Sequence, residues 1–351
     1  MNKIKIDNIN SVLTTPKGTS AFVLNDISIE IPKGKVIGII GESGSGKTQL
    51  ALAICGLQPM IPGVVSGNSS FDSDSFMYTD KNESKIEKIL LPFSKIDPVK
   101  KITDKGYKLR MDTIGFIPQD PKSYLNPYWS LNRLFRETFN LRDDVTNFDS
   151  FIEGYLEDVG LDAKTIRYQY PSELSGGEAQ RAMIAFILSK KPKFIIADES
   201  TTGLDVSRQK TVINLLKNIV ERNDDITLIL ISHDFGFLDH LVEFYCVVYG
   251  GFLCEFIENK KNIFTNEELH PYTKDLVSRL VPSKTDIETH NELASSVDVF
   301  KKLDSCPYIG NCSFYNSHEN TGHECEKGLP KSNRINTSEE EHWIACVKYE
   351  E

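Results

Sequence analysis

Short apolar runs, set off by glycine and polar turns, recur along the chain. Runs of that length predict buried strands, and apolar positions three and four apart predict helices. IKIDNINSV (4–12) and SIEIPKG (28–34) read as two strands bracketing a loop. VIGII (36–40) reads as a buried strand, and TQLALAICGL (48–57) follows it as a helix. The stretch SGNSSFDSDSFMYTDKNESK (66–85) is polar and turn-rich, which predicts loop around short strands. TIGFIPQD (113–120) ends a further strand, and residues 129–191 are mainly helical, with WSLNRLFRETF and FIEGYLEDVG amphipathic. KFIIADES (193–200) and ITLILISHD (226–234) are two more buried strands, separated by the helix VSRQKTVINLLKNIV (206–220). Strands alternating with helices predict an α/β fold with a parallel sheet covered on both faces. The pattern weakens after Ile257, and the polar stretch 282–300 reads as a linker. No internal repeat is visible.

Composition changes this picture little. The 351 residues are 40% hydrophobic and 26% charged, as in an ordinary soluble globular protein. A net charge of −10 argues against nucleic acid or an anionic membrane as the main partner, unless a local basic patch outweighs the sum. The start, MNKIKIDNINSVL, lacks the apolar stretch of a secretory signal. No run approaches the ~18 apolar residues that span a bilayer, so any work at a membrane is expected to depend on other chains. Of seven cysteines, Cys55, Cys246 and Cys254 sit in apolar or mixed surroundings and read as structural. Cys306, Cys312, Cys325 and Cys346 crowd the C-terminal end. Without a signal peptide, such a cluster reads as metal binding before disulfides.

The chemistry-bearing motifs stand at the ends of the predicted strands. GESGSGKT (41–48) fits G-x-x-x-x-G-K-S/T, follows a strand and opens a helix, the context of a phosphate-binding loop. Gly41, Ser43, Gly44, Ser45 and Gly46 form that loop, with backbone N–H groups from Gly44 to Thr48 cradling phosphates. Lys47 is placed to reach the β and γ phosphates, and the Thr48 hydroxyl to ligate Mg²⁺. FIIADE (194–199) delivers two carboxylates at a strand end: Asp198 for Mg²⁺ and Glu199 to polarise the attacking water. Gln119 closes one strand, where it could touch both Mg²⁺ and the lytic water. His233 closes another, where an imidazole could contact the γ-phosphate. LSGGEAQR (174–181) looks like a second phosphate turn at a helix start, but it carries no lysine.

The order of these motifs resembles the ATP-binding subunit of an ABC transporter over residues 1–280 or so. LSGGEAQR resembles the signature motif, Gln119 the Q-loop glutamine, His233 the switch histidine and STTGLD (200–205), ending at Asp205, the D-loop. The resemblance implies a P-loop ATPase core with an inserted helical subdomain and a C-terminal cysteine-containing extension. It implies ATP and Mg²⁺ as ligands. It also implies a head-to-tail pair of cassettes, with Ser175, Gly176 and Gly177 serving the partner's nucleotide. The expected boundaries are 1–257 for the ATPase domain, with the helical subdomain at about 120–190, and 258–351 for the extension. Phe22 lies where the family often places an aromatic under adenine; a core aromatic is the equal alternative. Ser200 and Gly203 depart from the usual proline and alanine, which affects D-loop geometry rather than the chemistry.

QDPKSYLNPYWSL (119–131), HPYTKDL (270–276), CPYIGNC (306–312) and WIACVKYE (343–350) are similar to the peptide/nickel permease branch. That branch implies an importer ATPase for oligopeptides, dipeptides or related solutes, peripheral at the cytoplasmic face of the membrane. Its implied partners are a second ATPase subunit, two integral permease subunits and an extracellular binding protein, with no nucleic acid. A nickel or metal-chelate importer, or a soluble ABC ATPase acting on ribosomes or DNA, are the alternatives. For Cys306, Cys312, Cys325 and Cys346 the resemblance implies an iron–sulfur cluster. Zinc, with His318, His323 or His342 as spare ligands, and four unpaired thiols remain alternatives.

Overall fold

In the computed structural model the described residues are 4–14, 20–54, 62–71, 74–79, 100–101, 113–141, 144–198, 206–221, 223, 225–232, 238, 241–259, 268–279, 303–317, 324–334 and 341–349. The elements in chain order begin with β1 (Ile4–Thr14), β2 (Ser20–Ile31), β3 (Val36–Ile40), α1 (Lys47–Ile54), β4 (Pro62–Phe71), β5 (Asp74–Thr79) and β6 (Lys100–Lys101). Next come β7 (Ile114–Ile117), α2 (Pro121–Tyr124), α3 (Leu131–Asn140), α4 (Phe148–Asp158), α5 (Ala163–Ile166) and α6 (Gly176–Ser189). β8 (Phe194–Asp198), α7 (Val206–Glu221), β9 (Thr227–Ile231), β10 (Phe244–Tyr249) and β11 (Phe252–Glu258) follow. The last are α8 (Pro271–Ser278), α9 (Ser313–Ser317), β12 (Ser332–Arg334) and β13 (His342–Ala345). Two units result: Met1–Tyr107 with Ser232–Glu351, and Lys108–Ile231.

The first unit holds an antiparallel sheet in the order β2-β1-β4-β5-β6. Ile4, Ile6, Ile9, Val12, Leu24 and Ile27 of β1 and β2 are fully buried. The polar stretch that predicted loop around short strands contains β5 and more than half of β4, a strand longer than that expectation. β4 runs ten residues against β1, with Ile6 opposite Ser69. A long apolar partner strand supplies the backbone hydrogen bonds, so serine and asparagine side chains do not prevent pairing.

The same unit carries the strand series β12-β13-β11-β10-β3. β3 and β10 are parallel, as the alternating pattern predicts, but β10–β11, β11–β13 and β13–β12 are antiparallel. The purely parallel expectation fails here because Gly250 and Gly251, at φ 56° and 73°, close a tight hairpin between β10 and β11. The segment 282–300 lies outside the described residues.

The second unit stacks β7, β8 and β9 in parallel, with β8 and β9 buried at every position. Its helices share an aromatic core in which Phe135 meets Phe151 and Phe186 edge to face, at 6.5 and 5.8 Å between ring centroids. Arg167, 6% exposed, fastens that core by bonding Asp149 at 2.5 Å and Asn132 at 2.9 Å.

Candidate nucleotide-binding site

The strand β3 runs into the loop 41–46, which turns into α1 at Lys47. Two glycines are required by geometry. Gly41 has φ 153°, and a Cβ there would stand 2.2 Å from the Val248 carbonyl oxygen. Gly46 has φ 101°, and its Cβ would stand 2.8 Å from the Val23 carbonyl oxygen. Any L side chain would push the loop off the strands beneath it. The β10–β11 hairpin clasps the loop in turn, through Gly251 N–H donating to the Ser45 carbonyl at 2.8 Å.

The Lys47 ammonium lies inside the loop and donates to the carbonyls of Gly41 (2.9 Å) and Glu42 (2.8 Å). Glu42 O also accepts from Ser45 N–H at 3.1 Å. Ser45 Oγ is buried without a hydrogen-bond partner among the described residues, so the loop keeps one unsatisfied polar atom beside its lysine. Ser43, Gly44 and Thr48 are exposed along the open side. These features fit a nucleotide phosphate: charge, unspent polarity and exposed backbone converge in one turn.

In the second unit Asp198 ends β8 and is 7% exposed, opposite Ile231. Gln119 is exposed just beyond β7. Glu199, the 200–205 segment with Asp205, and His233 lie outside the described residues. Phe22 is 3% exposed within β2, opposite Val12.

Ser175 caps α6 in a reciprocal box. Its Oγ accepts from Glu178 N–H at 3.3 Å, and Glu178 Oε2 accepts from Ser175 N–H at 2.8 Å. The hydrogen bonds from Ser175 hold the Glu178 carboxyl below the usual carboxylate range. Gly176 and Gly177 form the first turn, and a Cβ on either would meet nothing within 4 Å. Neither has a positive φ. Among the described residues no packing contact asks for glycine at these two positions.

A family profile described as ABC transporter matches residues 24–202, slightly more than half of the chain. The chain belongs to the ABC transporter family. As an ABC ATPase it binds and hydrolyses ATP with Mg²⁺. The cassette is 31% identical over 317 residues to the oligopeptide transport ATP-binding protein OppD of Haemophilus influenzae, covering 89% of both chains. It is 28% identical to the dipeptide transport ATP-binding protein DppD of Caldanaerobacter subterraneus subsp. tengcongensis, covering 99% of this chain and 97% of that one. A dimeric ATP-binding cassette solved in a post-hydrolysis state with ADP and phosphate shares the fold. Its TM-score is 0.58 at 22% identity, covering 74% of this chain and 99% of that one.

The C-terminal part of the ABC cassette adds features that sequence reasoning located only in part. Cys306, Cys312, Cys325 and Cys346 are all buried and free of disulfides. Cys306 N–H donates to the Cys325 carbonyl at 3.1 Å. Burial pushes the Cys306 thiol up to about 12, and the charges of Cys346, Cys325 and Cys312 add to the shift. Cys346 is pushed up to about 11 by burial, then by Cys312 and Cys325. The four thiols are therefore electrostatic neighbours. Cys254 of β11 joins them, raised by burial and then by Cys306; its apolar setting in the sequence gave no sign of this. Among the described residues no three His, Cys, Asp or Glu side chains converge on a single ion.

His342 Nε2 lies 2.6 Å from Glu255 Oε1, which engages one of its two ring nitrogens. His318 and His323 lie outside the described residues. The HPYT motif has a local explanation. His270 caps α8 by accepting from Tyr272 N–H at its Nδ1, and proline takes the first helical position. Among the described residues no helix is long and apolar enough to cross a membrane.

Proposed function

We propose that the chain powers the uptake of oligopeptides or dipeptides across the cytoplasmic membrane, as the peripheral ATPase subunit of an importer. Two integral permease subunits, an extracellular binding protein and a second, related ATPase complete the assembly. What carries this reading is near full-length similarity to peptide-transport ATP-binding proteins, including the C-terminal part beyond the shared cassette.

The residues divide the work as follows. Lys47 leaves the Gly41 and Glu42 carbonyls for the β and γ phosphates, while Ser45 and the loop N–H groups take the remaining oxygens. Thr48, Gln119 and Asp198 would hold Mg²⁺, which would supply neutralisation of the charge developing on the phosphoryl group. Glu199 orients and polarises the water, and His233 contacts the γ-phosphate. Asp205 belongs to the loop that joins the two cassettes. Ser175, Gly176 and Gly177 receive the nucleotide of the partner cassette. The space over both glycines, open among the described residues, supports that role, since it leaves room for a group from another chain.

Cys306, Cys312, Cys325 and Cys346 hold an iron–sulfur cluster in this reading. Four buried neighbouring thiols match the Cys₄ donor set. Iron and sulfide assays on anaerobically purified protein should report both elements. Stoichiometric zinc with neither element would sink the cluster.

The function is tested by mild-detergent affinity purification from the native cells with mass spectrometry of the partners. Two permease subunits, a second ATPase and a peptide-binding protein are the expected companions. Ribosomal or DNA-repair proteins without a membrane subunit would overturn the importer while leaving the ATPase standing.

A further inference from the structure

Glu42, the second residue of the phosphate loop, is held at three points. Its carbonyl takes the Lys47 ammonium at 2.8 Å. Its N–H donates to the phenolic oxygen of Tyr272 at 3.0 Å. Its Oε1 accepts from Arg279 Nη1 at 2.8 Å. Both external partners belong to α8 or its C-cap, more than 200 residues along the chain.

The Tyr272 hydroxyl is itself fixed. Tyr272 is 1% exposed, and its ring packs on Tyr249 and Tyr308 at 4.6 and 5.2 Å between centroids. Its own N–H is bound by His270, whose N–H donates to the buried Glu255 carboxylate at 3.2 Å. Tyr308, which lies between Cys306 and Cys312, also bonds Asp275 of α8. The helix that grips Glu42 thus rests on a buried polar and aromatic platform, not on a swinging side chain. The Glu42–Arg279 pair is about one-third exposed on each side and is weak by itself, so the buried tyrosine bond dominates the grip.

We propose that Tyr272 and Arg279 are positioning residues of the ATP site: through Glu42 they hold the phosphate loop in its nucleotide-receiving form. The HPYT helix is then part of the nucleotide site as well as of the C-terminal extension. The proposal rests on the assignment of Lys47 to the phosphates.

The test is binding of a fluorescent ATP analogue with Mg²⁺ to the purified full chain, with thermal unfolding beside it. Tyr272→Phe keeps the ring packing and deletes one oxygen. It should weaken binding about three- to tenfold, the loss of one neutral hydrogen bond. Arg279→Gln should weaken binding less, about twofold, and Arg279→Lys should restore it. Arg279 is partly exposed, so its variants fold even if Tyr272→Phe does not. Lys47→Ala marks complete loss. Wild-type affinity in both Tyr272→Phe and Arg279→Gln, beside loss in Lys47→Ala, overturns the positioning role and leaves the loop assignment intact. A lowered unfolding midpoint with unchanged affinity does the same, because it makes the contacts structural only. Wild-type protein that binds no analogue removes the loop assignment and the proposal together.

Discussion

His342 Nε2 lies 2.6 Å from Glu255 Oε1, with the two side chains 2% and 0% exposed. The other oxygen of Glu255 accepts the His270 N–H. One buried carboxylate therefore joins β11, β13 and the start of α8. Leaving a buried donor without its acceptor costs about 1–3 kcal/mol, because it loses its partner without regaining water. Glu255→Ala is expected to lower stability by that order, and Glu255→Gln by less, since an amide keeps one acceptor. Denaturant unfolding of the three proteins checks the ranking. Equal midpoints for Ala and wild type would show that the pair holds nothing together.

His270 gives the fold a pH dependence. Burial pulls its pKa from 6.5 down to about 3. Above pH 6.5 the ring is neutral in both the folded and the unfolded chain, and its full stability is present. As pH falls from 6.5 towards 3, the unfolded chain takes up a proton that the folded chain refuses. Stability then drops by up to about 1.4 kcal/mol per pH unit from this one group. A His270→Asn variant should show a shallower loss of stability over that window. Parallel pH profiles for variant and wild type would contradict the assignment.

Gly177→Ala separates the fold from the two-chain site. A Cβ there enters open space and the helix gains a better helix former, so the unfolding midpoint should not fall. Analogue binding by a single chain through Lys47 should persist. Steady-state ATP hydrolysis by the assembled transporter should drop at least about tenfold, an interaction loss of ~1.4 kcal/mol in the transition state. Full turnover in that variant would remove these glycines from the partner's nucleotide site.

Glu199→Gln is expected to bind ATP and to lose hydrolysis by about a hundredfold or more, the scale of a general base. With chemistry blocked, ATP should accumulate the paired form, visible by size-exclusion chromatography in ATP but not in ADP. Wild-type turnover would show that another group handles the water.

The phosphate loop was legible because its chemistry is local: glycines, lysine and threonine within eight positions after a buried strand admit few alternatives. The buried strands VIGII, FIIAD and TLILI were legible for the same reason, since apolar runs of that length have few other uses. β4 was not, because its polar side chains conceal a ladder that only the partner β1 supplies. The antiparallel β11 was hidden by two glycines whose turn fixes direction without changing the apolar pattern.

The sequence by itself determined the ATPase family and nominated the residues of its chemistry, because motif order and spacing are one-dimensional. Tertiary structure alone decided what surrounds them. HPYT is a helix start in the sequence, and only folding carries its tyrosine to Glu42. Cys254 reads as an ordinary core thiol, and only folding brings it near Cys306 and Cys346. His342 reads as a lone tail histidine, and only folding brings it to a buried carboxylate 87 positions away. In each case the partner is chosen by packing between distant segments. Its energetic reason is that a buried polar group must find a mate wherever the fold brings one.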